Sequence, residues 1–311
     1  MNNKIVFSLF ANKSLAKQVA ESLSCPVGEV SITHFADGEV LVKTESDVKD
    51  KDVILIESTS QRAQDKLFEL LLLIDSIHRA GAKSLKLFIP YFGYSRQERS
   101  YLNEPVSCQV AAQIIETAKY DSLTCFDLHT PVIKDFFNRG VKSLPTSELF
   151  VTYYLNYIKE HNIDLKDVVI VAPDHGSNER IEDVVKGLNV QKVIMEKIRP
   201  RANVAEPPEI NDDVQGKTCI IIDDIIDTGG TVVSAANLLY QKGAHFVLVG
   251  ASHAVISGNC LRSLREACIE DIMVTNTIEQ SLPNDVHVAL SGFCVHIYDD
   301  FLPKGNYEIW M

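Results

Sequence analysis

The chain has 311 residues, 42 of them acidic and 30 basic, giving a formal charge of −12 at an apolar content of 46%. Those values suit ordinary globular cores and about two domains. They exclude a broad basic surface, so neither nucleic acid nor an anionic membrane is an expected partner.

Short apolar runs alternate with helical spacing along most of the chain. "KIVFSLF" predicts a strand before a helix over 12–23. "FADGEV" (35–40) has Asp-Gly between apolar residues, a hairpin signal. "DVILIEST" precedes a helix over 64–80, and "SLKLFIP" leads to one over 107–118. "SLTCFDLH" follows, then helix 147–160, "DVVIVAPDHG", helix 177–187 and "VQKVIMEK". After a polar loop come "KTCIIIDD", helix 230–242, "HFVLVGASH", helix 258–267 and "IEDIMVTN". Such alternation implies an α/β protein with parallel sheets covered on both faces. Two sheets meeting near 145–150 fit the length.

The most apolar helix, "KLFELLLLIDSIHRAGAK", is interrupted by Glu69, Asp75 and His78, which marks a buried helix and not a membrane span. "MNNKIVFSLFANKS" is too short in its apolar run for a signal peptide. Seven Cys (25, 108, 125, 219, 260, 268, 294) lack a CxxC pair and read as reduced thiols. A cytoplasmic protein is expected.

In parallel sheets, ligands gather at strand carboxyl ends. "DLH" (127–129), "PDHG" (173–176), "KIR" (197–199) and "IIDDIID" all fall there. The stretch "IIIDDIIDTGGT" (220–231) sets Asp223, Asp224 and Asp227 beside Thr228, Gly229, Gly230 and Thr231. A Gly-rich turn at a helix start offers backbone N–H groups to an anion, which carboxylates would repel. No Lys follows the second Gly, so this is not an ATPase phosphate loop. A sugar phosphate resolves the conflict: its phosphate takes the turn and its hydroxyls donate to the carboxylates. A carboxylate here can also hold Mg²⁺, directly or through water. A helix N-cap with dipole-favoured acids would explain one Asp and one Thr, but not two adjacent carboxylates.

The stretch resembles the ribose-5-phosphate loop of the type I phosphoribosyltransferase fold. "FADGEV", "PYFGYSRQER" (90–99), "DLH", "APDHG" (172–176) and "KIRPRANVAE" (197–206) resemble, in order, the motifs of the ribose-phosphate pyrophosphokinase family. The resemblance runs through most of residues 1–290. It implies two phosphoribosyltransferase-like domains, each a mainly parallel sheet flanked by helices, at 1–147 and 148–290. A C-terminal segment, 291–311, is expected to pack back on the first domain. The implied reaction moves the β,γ-diphosphoryl group of ATP to the 1-hydroxyl of ribose 5-phosphate, forming 5-phosphoribosyl 1-diphosphate and AMP.

By the same resemblance, Lys197 and Arg199 stabilise the transition state on a loop, with Arg199 also near the sugar phosphate. Two polyanionic substrates require such cations, and Lys192, Lys197, Arg199 and Arg201 lie close in sequence. Arg96, Gln97 and Arg99 match the nucleotide-binding run, and His129 an ATP-phosphate or metal contact. Asp174 matches the Mg²⁺-site carboxylate, a hard oxygen ligand. Phe35, Asp37, Gly38 and Glu39 match a hairpin set against the ATP of a neighbouring subunit, implying a homo-oligomer with a shared site. Asp223, Asp224, Asp227 and residues 228–231 match the ribose-5-phosphate site.

The chain departs from the family pattern at Val132, at "RQER", in the short "SYLNEPV" loop, at "SHAV" (252–255) and at "QRAQDK" (61–66). Its ending, "GFCVHIYDDFLPKGNYEIWM", does not resemble the family's, so the resemblance carries over neither phosphate activation, ADP inhibition nor a hexamer. A phosphoribosyltransferase that consumes the diphosphate leaves "FADGE", "RQER" and "KIR" without a purpose. A catalytically silent binding homologue should have lost one of Lys197, Arg199, His129 or Asp223, and all are present.

Overall fold

The computed structural model describes residues 3–195, 209–210, 212–279 and 286–289. Lys197, Arg199, Arg201, Cys294 and the segment 291–311 lie outside the described residues.

The first sheet takes β1 (Lys4–Phe7), β4 (Asp52–Ile56), β5 (Ser84–Ile89), β6 (Ser122–Phe126) and β7 (Lys142–Leu144) in that spatial order, every pairing parallel. Between β1 and β4 the chain forms a hairpin of β2 (Val30–His34) and β3 (Val40–Thr44). α1 (Lys13–Ser22) covers one face, burying Leu15, Ala16, Val19 and Ala20 at helical spacing. α2 (Ala63–Arg79) and α3 (Ser107–Glu116) cover the other; the buried stripe of α2 includes Leu67, Leu70, Leu73, Ile74 and Ile77.

The second sheet has the order β13-β12-β11-β10-β8-β9, again all parallel. Its strands are β8 (Val168–Ala172), β9 (Gln191–Ile194), β10 (Thr218–Ile226), β11 (Phe246–Ala254), β12 (Asp271–Thr275) and β13 (Val286–Ala289). β8 reads VVIVA and is buried throughout, as a strand covered on both faces must be. α4 (Ser147–Glu160) and α5 (Asn178–Leu188) pack on one face, and α6 (Gly230–Gln241) and α7 (Cys260–Glu266) on the other.

Helix positions match expectation closely, and α4 lies where the spacing places it, at 147–160. β7 and β13 were not foreseen, being three and four residues long. The six described cysteines are free thiols. Among the described residues no helix is long and apolar enough to cross a membrane.

The two sheets face each other with their strand carboxyl ends. Asn12, after β1, donates its side-chain amide to the Thr277 carbonyl after β12 (2.9 Å), and Ser58, after β4, donates its hydroxyl to the same carbonyl. Tyr91, Val255 and Ile278 form a small apolar cluster at this junction.

Candidate active site

In the second sheet the chain order reverses between β8 and β10: β9 lies to one side, β11 to β13 to the other. Crevices open at such a reversal. The pairing of β10 with β8 ends at Ile221–Val171, whereas β10 runs on beside β11 to Ile226–Ala254. The free edge so created carries Asp223 and Asp224. The first sheet has no reversal and supplies the opposite wall instead, through its loops after β5 and β6. The resulting cavity is about 850 Å³.

Asp174 follows β8, just ahead of α5, and accepts the Ser177 N–H (3.1 Å). The Ser177 hydroxyl lies 3.2 Å from both Asp174 Oδ1 and Asp223 Oδ1. Arg180, in the first turn of α5, places Nη1 3.2 Å from Asp224 Oδ1 and 3.7 Å from Asp223 Oδ1. Its other nitrogen donates to the His129 carbonyl (3.2 Å). His129 Nδ1 lies 2.7 Å from Asp224 Oδ2, bridging the two sheets.

These contacts split the acid pair. Burial and the adjacent Asp224 charge push the Asp223 carboxyl up to about 7. Burial works the same way on Asp224, but Arg180 and His129 outweigh it and hold the carboxyl well below its usual range. The bond to Asp224 raises His129, against a smaller opposing effect of burial.

Asp227 ends the acidic run. Its Oδ2 is 2.7 Å from Arg96 Nη1, a second contact across the cleft. Burial would raise its carboxyl, but hydrogen bonds from Ser257 and Arg96 bring it below the usual value. The turn beyond is shaped by Gly229, at φ +82°, a conformation that favours glycine, and it opens the twelve-residue α6. The first intrahelical bond runs from Val233 N–H to the Gly229 carbonyl. The amides ahead of it form the anion-binding end of a helix, with Thr228 and Thr231 exposed beside them.

The cavity thus brings together Arg96, Arg99, His129, Asp174, Asp223, Asp224, Asp227 and residues 228–231. Gln97 is exposed on the same loop but is not among the lining residues. Phe35, Asp37, Gly38 and Glu39 form the tip of the β2–β3 hairpin, away from the cavity. There Asp37 accepts the Glu39 N–H, Gly38 takes φ +93° and Phe35 is 48% exposed. Lys192, the one described member of the expected basic cluster, pairs its ammonium with Glu182 and Asn178 on the surface of β9 and α5. Arg180 was not singled out from the sequence, although it lies six residues past Asp174.

Comparison with known proteins agrees with this geometry. The profile of the N-terminal domain of ribose phosphate pyrophosphokinase matches residues 4–118, and that of the phosphoribosyl synthetase-associated domain matches 186–290. Ribose-phosphate pyrophosphokinase 2 of Enterococcus faecalis is 39% identical over 274 residues, 88% of this chain and 84% of its own. The chain belongs to the ribose-phosphate pyrophosphokinase family. Ribose-phosphate pyrophosphokinase 1 of Lactococcus lactis is likewise 39% identical, over 89% of this chain and 85% of its own. The crystal structure of phosphoribosylpyrophosphate synthetase from Mycobacterium smegmatis superposes with a TM-score of 0.84 at 30% identity, covering 96% of this chain and 99% of that one. The two-sheet α/β fold is therefore the family's. The family's reaction is synthesis of 5-phosphoribosyl 1-diphosphate from ATP and ribose 5-phosphate, and the chain is an enzyme of this type. A divalent metal is expected with it.

Proposed function

We propose that ribose 5-phosphate binds on the second-sheet wall of the cleft and ATP on the first-sheet wall, with diphosphoryl transfer between them. The observation that carries this assignment is the division of chemistry across one cavity. Carboxylates and a helix N-terminus lie on β10 and α6, facing Arg96, Arg99 and His129 on loops from the other sheet.

In this reading the sugar phosphate takes the amides of residues 228–231, and Asp223, Asp224 and Asp227 accept its hydroxyls. Arg96 and Arg99 hold ATP phosphates, Gln97 reads the adenine edge, and His129 contacts the polyphosphate. In-line positioning of the 1-hydroxyl against the β-phosphorus is the main contribution of the protein, with AMP as the leaving group. Lys197 and Arg199 offset the charge that develops there, an assignment resting on the family resemblance.

The donor set fits Mg²⁺. Asp174 and the acidic run of β10 offer hard oxygen atoms, and no group of three His, Cys, Asp or Glu among the described residues is arranged to hold a metal unaided. Mg²⁺ needs only one or two carboxylates when waters and substrate phosphates complete its shell. Asp174 would hold it, with His129 as the weaker ligand, and it would supply charge neutralisation at the phosphates.

We further propose domains at 1–147 and 148–290, and a homo-oligomer in which Phe35, Asp37, Gly38 and Glu39 reach a neighbour's ATP. The exposed hairpin tip supports the latter. Free thiols accord with a cytoplasmic location.

Calorimetric titration tests the assignment of the two walls. Asp223→Asn should weaken ribose 5-phosphate by ~10-fold or more while a non-hydrolysable ATP analogue changes by less than ~3-fold, as for loss of one charged hydrogen bond. Equal loss for both ligands would overturn it.

A further inference from the structure

His129 is held to the second sheet by more than its own bond to Asp224. Two residues earlier, at the end of β6, Asp127 takes φ +35°, a left-handed backbone that is uncommon outside glycine and that Asp and Asn adopt when local hydrogen bonds support it. The supporting contacts are visible. Asp127 Oδ2 accepts hydrogen bonds from the Ser252 and Thr146 hydroxyls, and the Thr146 N–H lies 3.3 Å away. The Asp127 carbonyl accepts His253 Nε2–H at 3.3 Å. The other nitrogen of that buried ring lies 2.9 Å from Thr277 Oγ1.

Ser252 and His253 belong to β11, the neighbour of β10. The register pairs Asp223 with Ala251 and Ile225 with His253, so Asp224 and Ser252 stand level on adjacent strands. Two cross-cleft ties therefore lie side by side, Asp127 to Ser252 and His129 to Asp224, and the left-handed turn sets their spacing.

We propose that Asp127 is the positioning residue for His129: its tether to Ser252 and His253 holds the strand end in the left-handed turn that aims the imidazole at Asp224. Asp127 itself is not among the residues lining the cavity. The role of His129 in turnover rests on the functional reading above.

The test is a mutant cycle. Asp127→Ala and Asp127→Gly should each lower kcat by ~10-fold or more, with both KM values within ~3-fold of wild type. Asp127→Asn, which keeps an acceptor oxygen and tolerates the left-handed backbone, should restore kcat to within ~3-fold. In a His129→Ala background, Asp127→Ala should change kcat by less than ~2-fold, because its effect passes through the imidazole. If Asp127→Ala does not fold, Ser252→Ala enters the same cycle. Equal losses with and without His129, or rescue by Gly as good as by Asn, would overturn the proposal alone. A fully active His129→Ala would overturn the functional reading together with it.

Discussion

Arg180 Nη1 stands 3.2 Å from Asp224 Oδ1, and the two side chains are only 15% and 4% exposed. An arginine from α5 thus balances buried acids on β10, and His129 reaches the same carboxylate from the other sheet. Replacing one member of a buried pair leaves the other without compensation, at about 3 kcal/mol. Arg180→Met should therefore lower Tm by roughly 6 °C and reduce turnover, as followed by thermal denaturation and AMP release. Arg180→Lys should recover little, since a compact ammonium lacks the spread of guanidinium nitrogens that reaches the carboxylates and the His129 carbonyl together.

Asp223 gives the apoprotein a stability that falls as pH rises. Its carboxyl is raised from 3.8 to about 7 by burial and by Asp224. The folded state therefore holds a proton that the unfolded state has already lost across this window. Stability is highest below the unfolded value and declines from about pH 4 to about pH 7. Denaturant midpoints measured without metal or substrate should drop over that range, and Asp223→Asn should flatten the profile. An unchanged slope in the variant would assign the dependence elsewhere.

Much of this was legible in the sequence. β8 and β10 read clearly because their β-branched runs, buried on both faces, leave no polar alternation to misinterpret. The Asp-Gly pair announced the β2–β3 hairpin, and the acidic run before Thr-Gly-Gly-Thr announced the crevice. Arg180 was not legible, because it sits in an ordinary amphipathic helix and its carboxylate partners come from a different strand. The Asp127–Ser252 tie spans 125 residues, and no local pattern encodes it. The ion pair of Lys192 was likewise not legible: Glu182, its partner, sits ten residues back on the preceding helix.

Gly229 should resist replacement. At φ +82° an added Cβ would be strained and would also meet Cys260 Sγ at 3.1 Å. A left-handed backbone costs a non-glycine residue about 1–2 kcal/mol. Gly229→Ala should raise KM for ribose 5-phosphate by ~5-fold or more, and KM for ATP much less, because the proposed assignment gives the turn to the sugar phosphate alone. Steady-state kinetics with each substrate varied would show a parallel rise in both if the turn served ATP.

Arg96 makes the opposite case. It pairs with Asp227 across the cleft at 2.7 Å, and in the proposed reading it exchanges that carboxylate for a phosphate when ATP binds. Arg96→Ala should weaken ATP by ~10-fold or more, the loss of a charged phosphate contact, and ribose 5-phosphate by less. Competition binding with an ATP analogue measures it directly. A larger loss for the sugar phosphate would exchange the roles of the two walls.

Lys197→Ala should lower kcat by ~10²-fold with both substrates still bound, as for removal of one transition-state donor. Single-turnover rates separate this from a binding defect, and a near-normal rate would remove Lys197 from the chemistry.

Diphosphoryl transfer in the cleft is tested most directly by ³¹P NMR of the protein mixed with Mg·ATP and ribose 5-phosphate, first without and then with inorganic phosphate. Equal amounts of AMP and 5-phosphoribosyl 1-diphosphate, formed only when the sugar phosphate is present, are the expected result. ADP with a singly phosphorylated 1-hydroxyl, or no product under either condition, would contradict it.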